Sequence, residues 1–169
     1  AAVPFGQIYT STDSGATWTS RESNRNWVSV ASSADGSRLA AAVYNGPIYT
    51  STDSGATWTP RESNRIWQSV ASSADGTRLV GVVFNGQIHT STDSGVTWTA
   101  REGNRLWSAV TSSADGTRLS AIVVNGQIHT STDSGVSWTP RENNRSWRSI
   151  VSSADGTRLV ALVNGGQIY

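Results

Sequence analysis

Residues 10–18 read Thr10-Ser-Thr-Asp13-Ser-Gly15-Ala-Thr-Trp18, and the same stretch returns with little change at residues 50–58, 90–98 and 130–138. The period is 40 residues. Self-similarity at a fixed spacing of this size indicates a repeat architecture, in which each unit is one supersecondary element that cannot bury its own apolar faces. The four copies are therefore parts of one assembly.

The composition excludes several classes of protein. Only 36% of the 169 residues are hydrophobic, which is adequate for a core if the eight tryptophans are buried. The absence of cysteine excludes a disulfide framework and a thiolate metal site. It leaves the compartment open, and we favour an extracellular or periplasmic one. No apolar run approaches the roughly 20 residues that cross a bilayer, so membrane insertion is not predicted.

The charged residues repeat with the same period. The twelve acidic residues fall into three fourfold sets that begin at Asp13, Glu22 and Asp35, and all arginines except Arg148 repeat likewise. Lysine is absent, and the two signs alternate within each repeat. Because no basic stripe could follow a phosphate backbone, nucleic-acid binding is not predicted.

Each repeat reads as four β-strands joined by tight turns. The first full unit contains strands A to D, at residues 27–33, 38–44, 47–52 and 56–62. Asp35-Gly36 and Asn45-Gly46 tolerate the positive φ of hairpin turns, and Asp53-Ser-Gly55 supplies the third turn. Strand B is apolar on both faces, which is expected of a strand between two sheets. Pro60 places strand D at an outer edge.

A meander of this size matches one blade of a β-propeller. The sequence therefore predicts an all-β fold, a β-propeller of four-stranded antiparallel blades with four 40-residue repeats per chain. We predict a single domain over residues 1–169, with blade units at approximately 27–62, 67–102, 107–142, and 147–164 completed by 7–22. Completion of the last blade by both ends of the chain would remove an exposed sheet edge.

The two ends of the chain overlap. Residues 1–9 match residues 161–169, and one blade cannot hold both copies. Three arrangements stay open: one copy lies outside the sheet, several chains close head to tail into a larger ring, or the chain is a segment of a longer array. A homo-oligomer formed through the overlapping termini is therefore a candidate assembly.

The segment Ser11-Thr-Asp13-Ser-Gly15-Ala-Thr-Trp18 fits the pattern Ser-x-Asp-x-Gly-x-Thr-Trp. It resembles the Asp-box, also called the BNR repeat, which occurs in sialidase-type propellers. Ser137 replaces threonine in the fourth copy as the one departure. The resemblance implies a noncatalytic, sialidase-like propeller in which the motif lies on the turn between the third and fourth strands, away from the active-site face of the enzymes.

The residues of this motif are interpreted as structural. The aspartate can accept N–H bonds across the turn, the glycine can adopt a left-handed conformation, and the tryptophan can pack into the blade. The structural set comprises Asp13, Gly15, Trp18, Asp53, Gly55, Trp58, Asp93, Gly95, Trp98, Asp133, Gly135 and Trp138.

No catalytic residue is predicted, and the chain is interpreted as not being an enzyme. Glycoside hydrolysis needs two carboxylates in different environments, whereas each acid here has three near-equivalents. His89 and His129 occupy positions filled by Tyr9, Tyr49 and Tyr169 in the other copies, so they read as fillers rather than bases or metal ligands. No metal and no cofactor are predicted. A fragment of a sialidase-like glycosidase stays an alternative.

A noncatalytic binding or assembly scaffold is the preferred interpretation, with multivalent, lectin-like glycan binding as the first ligand class and another protein as a second possible partner. Propeller ligands usually meet the face formed by the D-to-A and B-to-C connections. The candidate ligand-binding residues on that face are Arg21, Glu22, Asn24, Arg25, Trp27, Arg61, Glu62, Asn64, Arg65, Trp67, Arg101, Glu102, Asn104, Arg105, Trp107, Arg141, Glu142, Asn144, Arg145 and Trp147.

The same residues have a purely structural interpretation. Arg21 and Glu22 could be paired surface groups, Asn24 a turn former and Trp27 a packing residue between blades. Positions 26, 28 and 44 vary between the copies near the same face or the inner channel, which fits either drift or sites of different specificity. A designed or recently amplified repeat protein without a ligand stays a further alternative.

Overall fold

The computed structural model describes residues 1–169, which form antiparallel strands joined by turns and bends, without a helix. No helix in the chain could therefore span a membrane. Fourteen strands follow in chain order: β1 (Gly6–Thr10), β2 (Thr19–Arg25), β3 (Trp27–Ser32), β4 (Leu39–Gly46), β5 (Ile48–Ser51), β6 (Thr59–Pro60), β7 (Arg65–Ser72), β8 (Leu79–Ser91), β9 (Thr99–Ser112), β10 (Leu119–Val123), β11 (Gly126–Ser131), β12 (Thr139–Arg145), β13 (Trp147–Ser152) and β14 (Leu159–Val163).

The strands pair in meanders that follow the 40-residue period. In the first unit, residues 27–62, β3 pairs with β4, β4 with β5 and β5 with β6. The second unit (67–102) and the third (107–142) repeat this order, but β8 runs through strands B and C, and β9 joins strand D of the second unit to strand A of the third. Strands D and A are therefore continuous at that junction.

Strand D starts later than the sequence predicts. It begins at Thr59 in the first unit and not at Ala56, because residues 53–58 belong to the turn. It also ends early there, at Pro60, whereas its counterparts continue to Arg25, Arg105 and Arg145.

The core lies between consecutive units. Strand B is buried on both faces, as its apolar pattern predicts: Ala40 and Ala42 face the next unit, while Ala41 faces the preceding one. Trp67 is fully buried and packs with Ala42 and Ile48 of the first unit, so each unit covers the tryptophan of the next. Burial of a large aromatic at each interface supplies much of the apolar area that a lean composition can offer.

Both ends of the chain are half-units. The N-terminal half-unit, residues 1–25, contains the hairpin β1–β2, and its first residues pair back on β1 through the bridge between Ala2 and Ile8. The C-terminal half-unit, residues 147–169, contains β13–β14, and Ile168 pairs in the same way with Leu162. The two halves form separate two-stranded sheets. Completion of 147–164 by 7–22 therefore stays a prediction.

Candidate functional site

The A-to-B and C-to-D turns lie together at one end of each unit, which we call the Asp-Ser-Gly end. The backbone N–H of Ser54 in the C-to-D turn donates to the carbonyl of Ser37 in the A-to-B turn, at 3.0 Å. The second and third units repeat this bond at 2.9 Å. The two turns therefore support each other.

Asp53 organises its turn by accepting several hydrogen bonds. The backbone N–H of Thr57 lies 2.9 Å from Oδ1, the Thr57 hydroxyl 2.6 Å from Oδ2 and the Ser51 hydroxyl 2.8 Å from Oδ1. Ser54 and Gly55 both have positive φ, at 57° and 84°, which the glycine adopts without the steric cost of a side chain. The Trp58 indole N–H donates to the Gly55 carbonyl at 3.1 Å. All four copies of the motif repeat this network.

These bonds stabilise the charged form of the carboxylates. Hydroxyl and backbone N–H donors, first among them Thr17, lower the pKa of Asp13 from 3.8 to about 2. The A-to-B turn does the same, because Ser33 and Ser37 lower the pKa of Asp35 to about 2. The Asp-Ser-Gly end thus holds ionised, hydrogen-bonded carboxylates that have no proton to donate at neutral pH.

The opposite end carries the D-to-A and B-to-C connections, which meet as predicted. Between Arg21 and Arg25 three residues of β2 face the single residue Gln7 of β1, so residues 22–24 form a bulge. The same bulge lies opposite Gln87 and Gln127. We call this the bulge end. A bulge redirects side chains out of the sheet, and it exposes Asn24.

Glutamine clamps the bulge in three of the four copies. The side-chain amide of Gln7 donates to the Glu22 carbonyl at 3.2 Å, and the equivalent bonds to Glu102 and Glu142 are 3.2 and 2.9 Å. Each of these glutamates has a positive φ of 44° to 56°. Such a conformation is strained for a non-glycine residue, and it persists only where surrounding contacts enforce it. The clamped carbonyl therefore explains the strained glutamate.

Pro47 breaks this pattern in the first unit. It stands where the other copies have glutamine, so it has no side-chain amide to donate. Glu62 does not have a positive φ, unlike its three counterparts, and strand D ends at Pro60. The three copies with glutamine and the one copy with proline therefore differ in the conformation of the opposite connection.

The candidate glutamates are paired with arginine, but the partner is Arg25 and its copies and not Arg21, which the structural interpretation proposed. Arg25 Nη2 lies 3.4 Å from Glu22 Oε1, and the equivalent distances in the other copies are 3.1 to 3.3 Å. The Arg25 guanidinium also stacks over the Tyr49 ring at 4.7 Å. Burial pushes the pKa of Glu22 upward, but the Ser23 hydrogen bonds and Arg25 outweigh it and lower that pKa. Arg21 donates through Nε to the Thr10 hydroxyl at 3.0 Å.

Several buried donors at the bulge end have no hydrogen-bond partner. They are the indole N–H groups of Trp27, Trp67 and Trp147 and the Nε atoms of Arg25 and Arg65. Trp107 is the exception, because its indole N–H donates to the Gly103 carbonyl at 3.3 Å. Since Gly103 lies in the D-to-A connection, this bond directs the Trp107 indole N–H toward the bulge. An unpaired buried donor lowers the stability of the fold by roughly 1–3 kcal/mol, so an oxygen that accepts a hydrogen bond from one of these groups would be stabilising.

The histidines at the bulge end are neutral near pH 7. Burial first, and then the positive charge of Arg65, lowers the pKa of His89 from 6.5 to about 4. Burial and Arg105 also lower the pKa of His129. Both rings pack edge-on against a buried tryptophan, at 5.3 and 5.0 Å between centroids, as Tyr49 does against Trp27 at 5.3 Å. The predicted role as ring-shaped fillers fits this packing.

Two exposed aromatic residues at the bulge end were not among the predicted site residues. Tyr44 and Phe84 are 43% and 37% exposed and pair across the sheet with Ile66 and Leu106. Their neighbours along the sheet are Arg65 and Arg105, opposite Gly46 and Gly86. The variability of position 44 was the available signal, but sequence alone did not show that the ring stays exposed beside the bulge.

The predicted site residues thus lie at one end but do not converge on a single centre. Each copy forms its own cluster of an ion pair, an exposed amide and a buried indole. No group of three or more His, Cys, Asp or Glu side chains is arranged to hold a metal ion. The arrangement offers equivalent contact points that repeat at the same end of successive units.

Comparison with known proteins identifies the fold. No protein-family model and no curated protein matches the sequence. Among solved structures, an ancestral GH74 enzyme superposes on 95% of this chain with a TM-score of 0.75 at 17% identity. The GH74 enzyme of Niastella koreensis superposes on 99%, with a TM-score of 0.67 at 20% identity. The chain spans only 25% and 27% of these two enzymes.

A second group of similar structures is YCF48. YCF48 from Cyanidioschyzon merolae superposes on 97% of this chain with a TM-score of 0.73 at 16% identity, and the chain spans 62% of it. A structure of YCF48 bound to D1 peptide superposes on 81% with a TM-score of 0.63 at 21% identity, and there the chain spans 46%. Both groups have the β-propeller fold, and at these identities the likeness establishes the fold alone. The chain is an all-β protein of the β-propeller fold.

Proposed function

We propose that the chain is a noncatalytic binding module related to Asp-box propellers, built from four four-stranded blades, whose bulge end binds glycans at repeated sites. The observation that carries this proposal is the half-exposed ring of Tyr44 beside the polar bulge. An aromatic ring offers an apolar face to a sugar ring, while Asn64 and Arg65 offer donors to its hydroxyl groups. Phe84 stands in the same relation to Asn104 and Arg105.

The unpaired indole N–H groups support a ligand with many acceptor oxygens. Trp27 and Trp67 are buried, so a ligand reaches their N–H groups only if the Glu–Arg ion pair of the connection shifts. The pair is half-buried, and Arg25 also stacks over Tyr49, so the ligand must replace these contacts when it binds. Equivalent sites on one chain multiply weak affinities through avidity.

The carboxyl groups support a noncatalytic role. The general acid of a glycosidase needs a raised pKa. Every carboxyl group whose pKa departs from its usual value departs downward, including Glu22 and Glu62 at the bulge end. A glycosidase fragment would therefore have to obtain its acid from another part of a longer protein.

An extended peptide is the second candidate ligand, because the YCF48 structure that superposes on this chain is bound to D1 peptide. Exposed Tyr44 and Phe84 suit the side chains of a peptide as well as the rings of a sugar. The two ligand classes separate in a direct binding experiment.

The test is a glycan array probed with the labelled full chain, followed by titration of the best oligosaccharide. The variant Tyr44→Ser/Phe84→Ser should lower affinity about tenfold or more, which corresponds to about 1.4 kcal/mol. Val136→Ser, an exposed valine at the Asp-Ser-Gly end, is the matched control and should bind normally. Binding of peptides but no glycans would assign the face to proteins, and absence of both would leave a repeat protein without a ligand.

A further inference from the structure

The interfaces between consecutive units are three copies of one arrangement. The backbone N–H of Ala34 donates to the carbonyl of Ala74 at 2.7 Å, Ala74 donates to Ala114 at 2.7 Å, and Ala114 donates to Ala154 at 2.7 Å. The series ends with two unpaired groups, the N–H of Ala154 and the carbonyl of Ala34. They are the donor and the acceptor that one further bond of the same kind would need.

A second series of bonds ends in the same way. Arg38 donates to the Ser94 hydroxyl at 2.8 Å, and Arg78 donates to the Ser134 hydroxyl at 2.6 Å. Arg118, one period after Arg78, does not donate to a serine of a following unit. Ser14 is the counterpart of Ser94 in the N-terminal half-unit, and no arginine donates to its hydroxyl. The polar groups that one end lacks are present at the other end.

A groove beside the first unit shows what is missing there. It measures about 490 Å³ and is lined by Ile8, Thr10, Trp18, Val30, Leu39 and Ser54. The equivalent space two periods further along is about 10 Å³, because Arg78, Leu79 and Val80 of the preceding unit fill it. By the repeat, the residues that would fill the groove are Arg158, Leu159 and Val160 of the C-terminal half-unit.

The apolar residues on both sides are exposed where their interior counterparts are buried. Val30 is 43% exposed at the groove, whereas Val70 is 5% exposed. Val160 and Leu162 are 46% and 41% exposed on the outer face of β14, whereas Val80 and Val82 are at most 1% exposed. The two exposed faces are therefore the two sides of the interface that the interior forms three times.

The faces cannot meet within one chain if its own interfaces are kept. A ring of four units needs a quarter turn at each interface, and three such turns would bring Ala154 onto Ala34. That bond is not formed, although the three interior bonds have the same length. More than four units are needed to close the ring.

We propose that two copies of the chain close head to tail into one ring of eight units. The C-terminal half-unit of one copy docks in the groove of the other, and the second junction repeats this contact. Eight units lie within the usual range of propellers, and a heterologous contact that repeats with closure gives a finite ring. The units of this chain superpose on 62% of YCF48 from Cyanidioschyzon merolae, so a similar arrangement occurs within a longer propeller.

The overlapping ends exchange strands at each junction. Residues 6–9 and 166–169 carry the same sequence, Gly-Gln-Ile-Tyr, and compete for the edge of β14. β1 takes this place because it is joined to β2 and so brings strand D with it. The exchange brings Trp18, which is 53% exposed, to Trp147 of the other copy. The interior pairs Trp67–Trp98 and Trp107–Trp138 show the same relation, at 6.1 and 6.5 Å.

The mass of the full chain in solution, measured by light scattering over a range of concentrations, tests the proposal. We expect twice the chain mass of 17.9 kDa. A particle of one chain at all concentrations overturns the proposal. A particle of three or more chains, or an open polymer, overturns it as well.

Aspartate substitutions at exposed valines locate the contact. Val160→Asp and Val30→Asp should each lower the particle mass to that of a single chain. The circular dichroism spectrum should stay unchanged, since both side chains are partly exposed in a single chain. A mixture of the two variants should recover a two-chain particle, because one junction then joins two unchanged faces. Val136→Asp, an exposed valine outside the junction, should stay dimeric. A dimeric Val160→Asp protein overturns the assigned contact.

Ile168→Asp tests the exchange of strands. Ile168 is exposed and lies beside Leu162, yet the ring displaces it from β14. The variant should therefore stay dimeric, whereas Val160→Asp does not. Loss of the dimer in Ile168→Asp would show that residues 166–169 remain in the junction and would overturn the exchange.

Discussion

The two ends of the repeat unit have equally regular sequences, but they differ in how their polar groups are paired. At the Asp-Ser-Gly end every box tryptophan donates its indole N–H to a glycine carbonyl, at 3.0 to 3.1 Å. At the bulge end three of the four strand A tryptophans donate to nothing. The first end satisfies its hydrogen bonds within one turn, whereas the second leaves donors buried and unpaired. Strained residues and unpaired buried donors cluster at functional sites in proteins, and for this reason we propose the bulge end as the binding face.

Tryptophan substitutions give the largest expected contrast. Trp67→Ala removes a fully buried ring from the interface between units and should lower the free energy of unfolding by about 3–5 kcal/mol. Trp138→Ala removes a motif tryptophan that is only partly buried and lies outside the proposed junction, so it should cost less, about 1–2 kcal/mol. Urea denaturation of both variants measures the difference. Equal losses would show that the two sets of tryptophans contribute equally to the free energy of unfolding.

Acid should unfold the protein through the Asp-Ser-Gly end. Seven aspartates, among them Asp13 and Asp35, have a pKa of about 2 in the folded chain, against 3.8 ordinarily. The unfolded chain therefore binds protons first as the pH falls. The stabilisation is complete above about pH 4 and is lost as the pH falls toward 2. Thermal melts across this range measure it, and Asp53→Asn should reduce the slope, unlike the neutral change Val96→Ser.

His89 predicts a pH dependence at the bulge end in a different window. Its pKa is about 4 in the folded chain and 6.5 ordinarily, so the unfolded chain takes up a proton first below pH 6.5. Stability should fall as the pH drops from 6.5 to 4 and change no further through this group below 4. His89→Tyr installs the residue that Tyr49 holds in the first unit and should flatten this part of the curve. If the variant kept the same dependence of stability on pH, His89 would not be its cause.

Pro47→Gln should have the smallest effect on stability and a clear effect on local structure. The new amide can clamp the Glu62 carbonyl, which is worth about 1 kcal/mol, but the loss of proline costs about 0.4–1 kcal/mol through the unfolded chain. The net change is near zero. Amide hydrogen exchange at residues 61–64 should nevertheless slow, as strand D extends. The reverse variant Gln87→Pro should speed exchange at residues 101–104, and no change in either variant would contradict the role of the clamp.

Local patterns predicted the strands and turns because their causes are local. The Asp35-Gly36 turn and the apolar strand B follow from neighbouring residues alone. The start of strand D at Thr59 was missed because the Asp53 carboxylate draws Thr57 and Trp58 into the turn. The positive φ of Glu22 accompanies a hydrogen bond from Gln7 across the sheet, a contact that no local pattern contains.

The sequence predicted which residues lie on the D-to-A connection but not how their side chains are arranged. The sequence placed Arg21, Glu22 and Asn24 on the connection, and the structure shows that the ion pair leaves Asn24 as its exposed polar group. The exposed ring of Tyr44 and the unpaired indole of Trp27 emerge only from the packing of neighbouring units. These tertiary features decide whether the end can bind.

The indole N–H signals of the eight tryptophans report on both ends in one spectrum. The most direct test is a titration of the ¹⁵N-labelled chain with the best oligosaccharide from the array, followed by two-dimensional NMR. We predict shifts for Trp27, Trp67, Trp107 and Trp147, with the smallest at Trp107, whose N–H is already bonded, and none for Trp18, Trp58, Trp98 and Trp138. Shifts confined to the second group would contradict the assignment of the bulge end as the binding face.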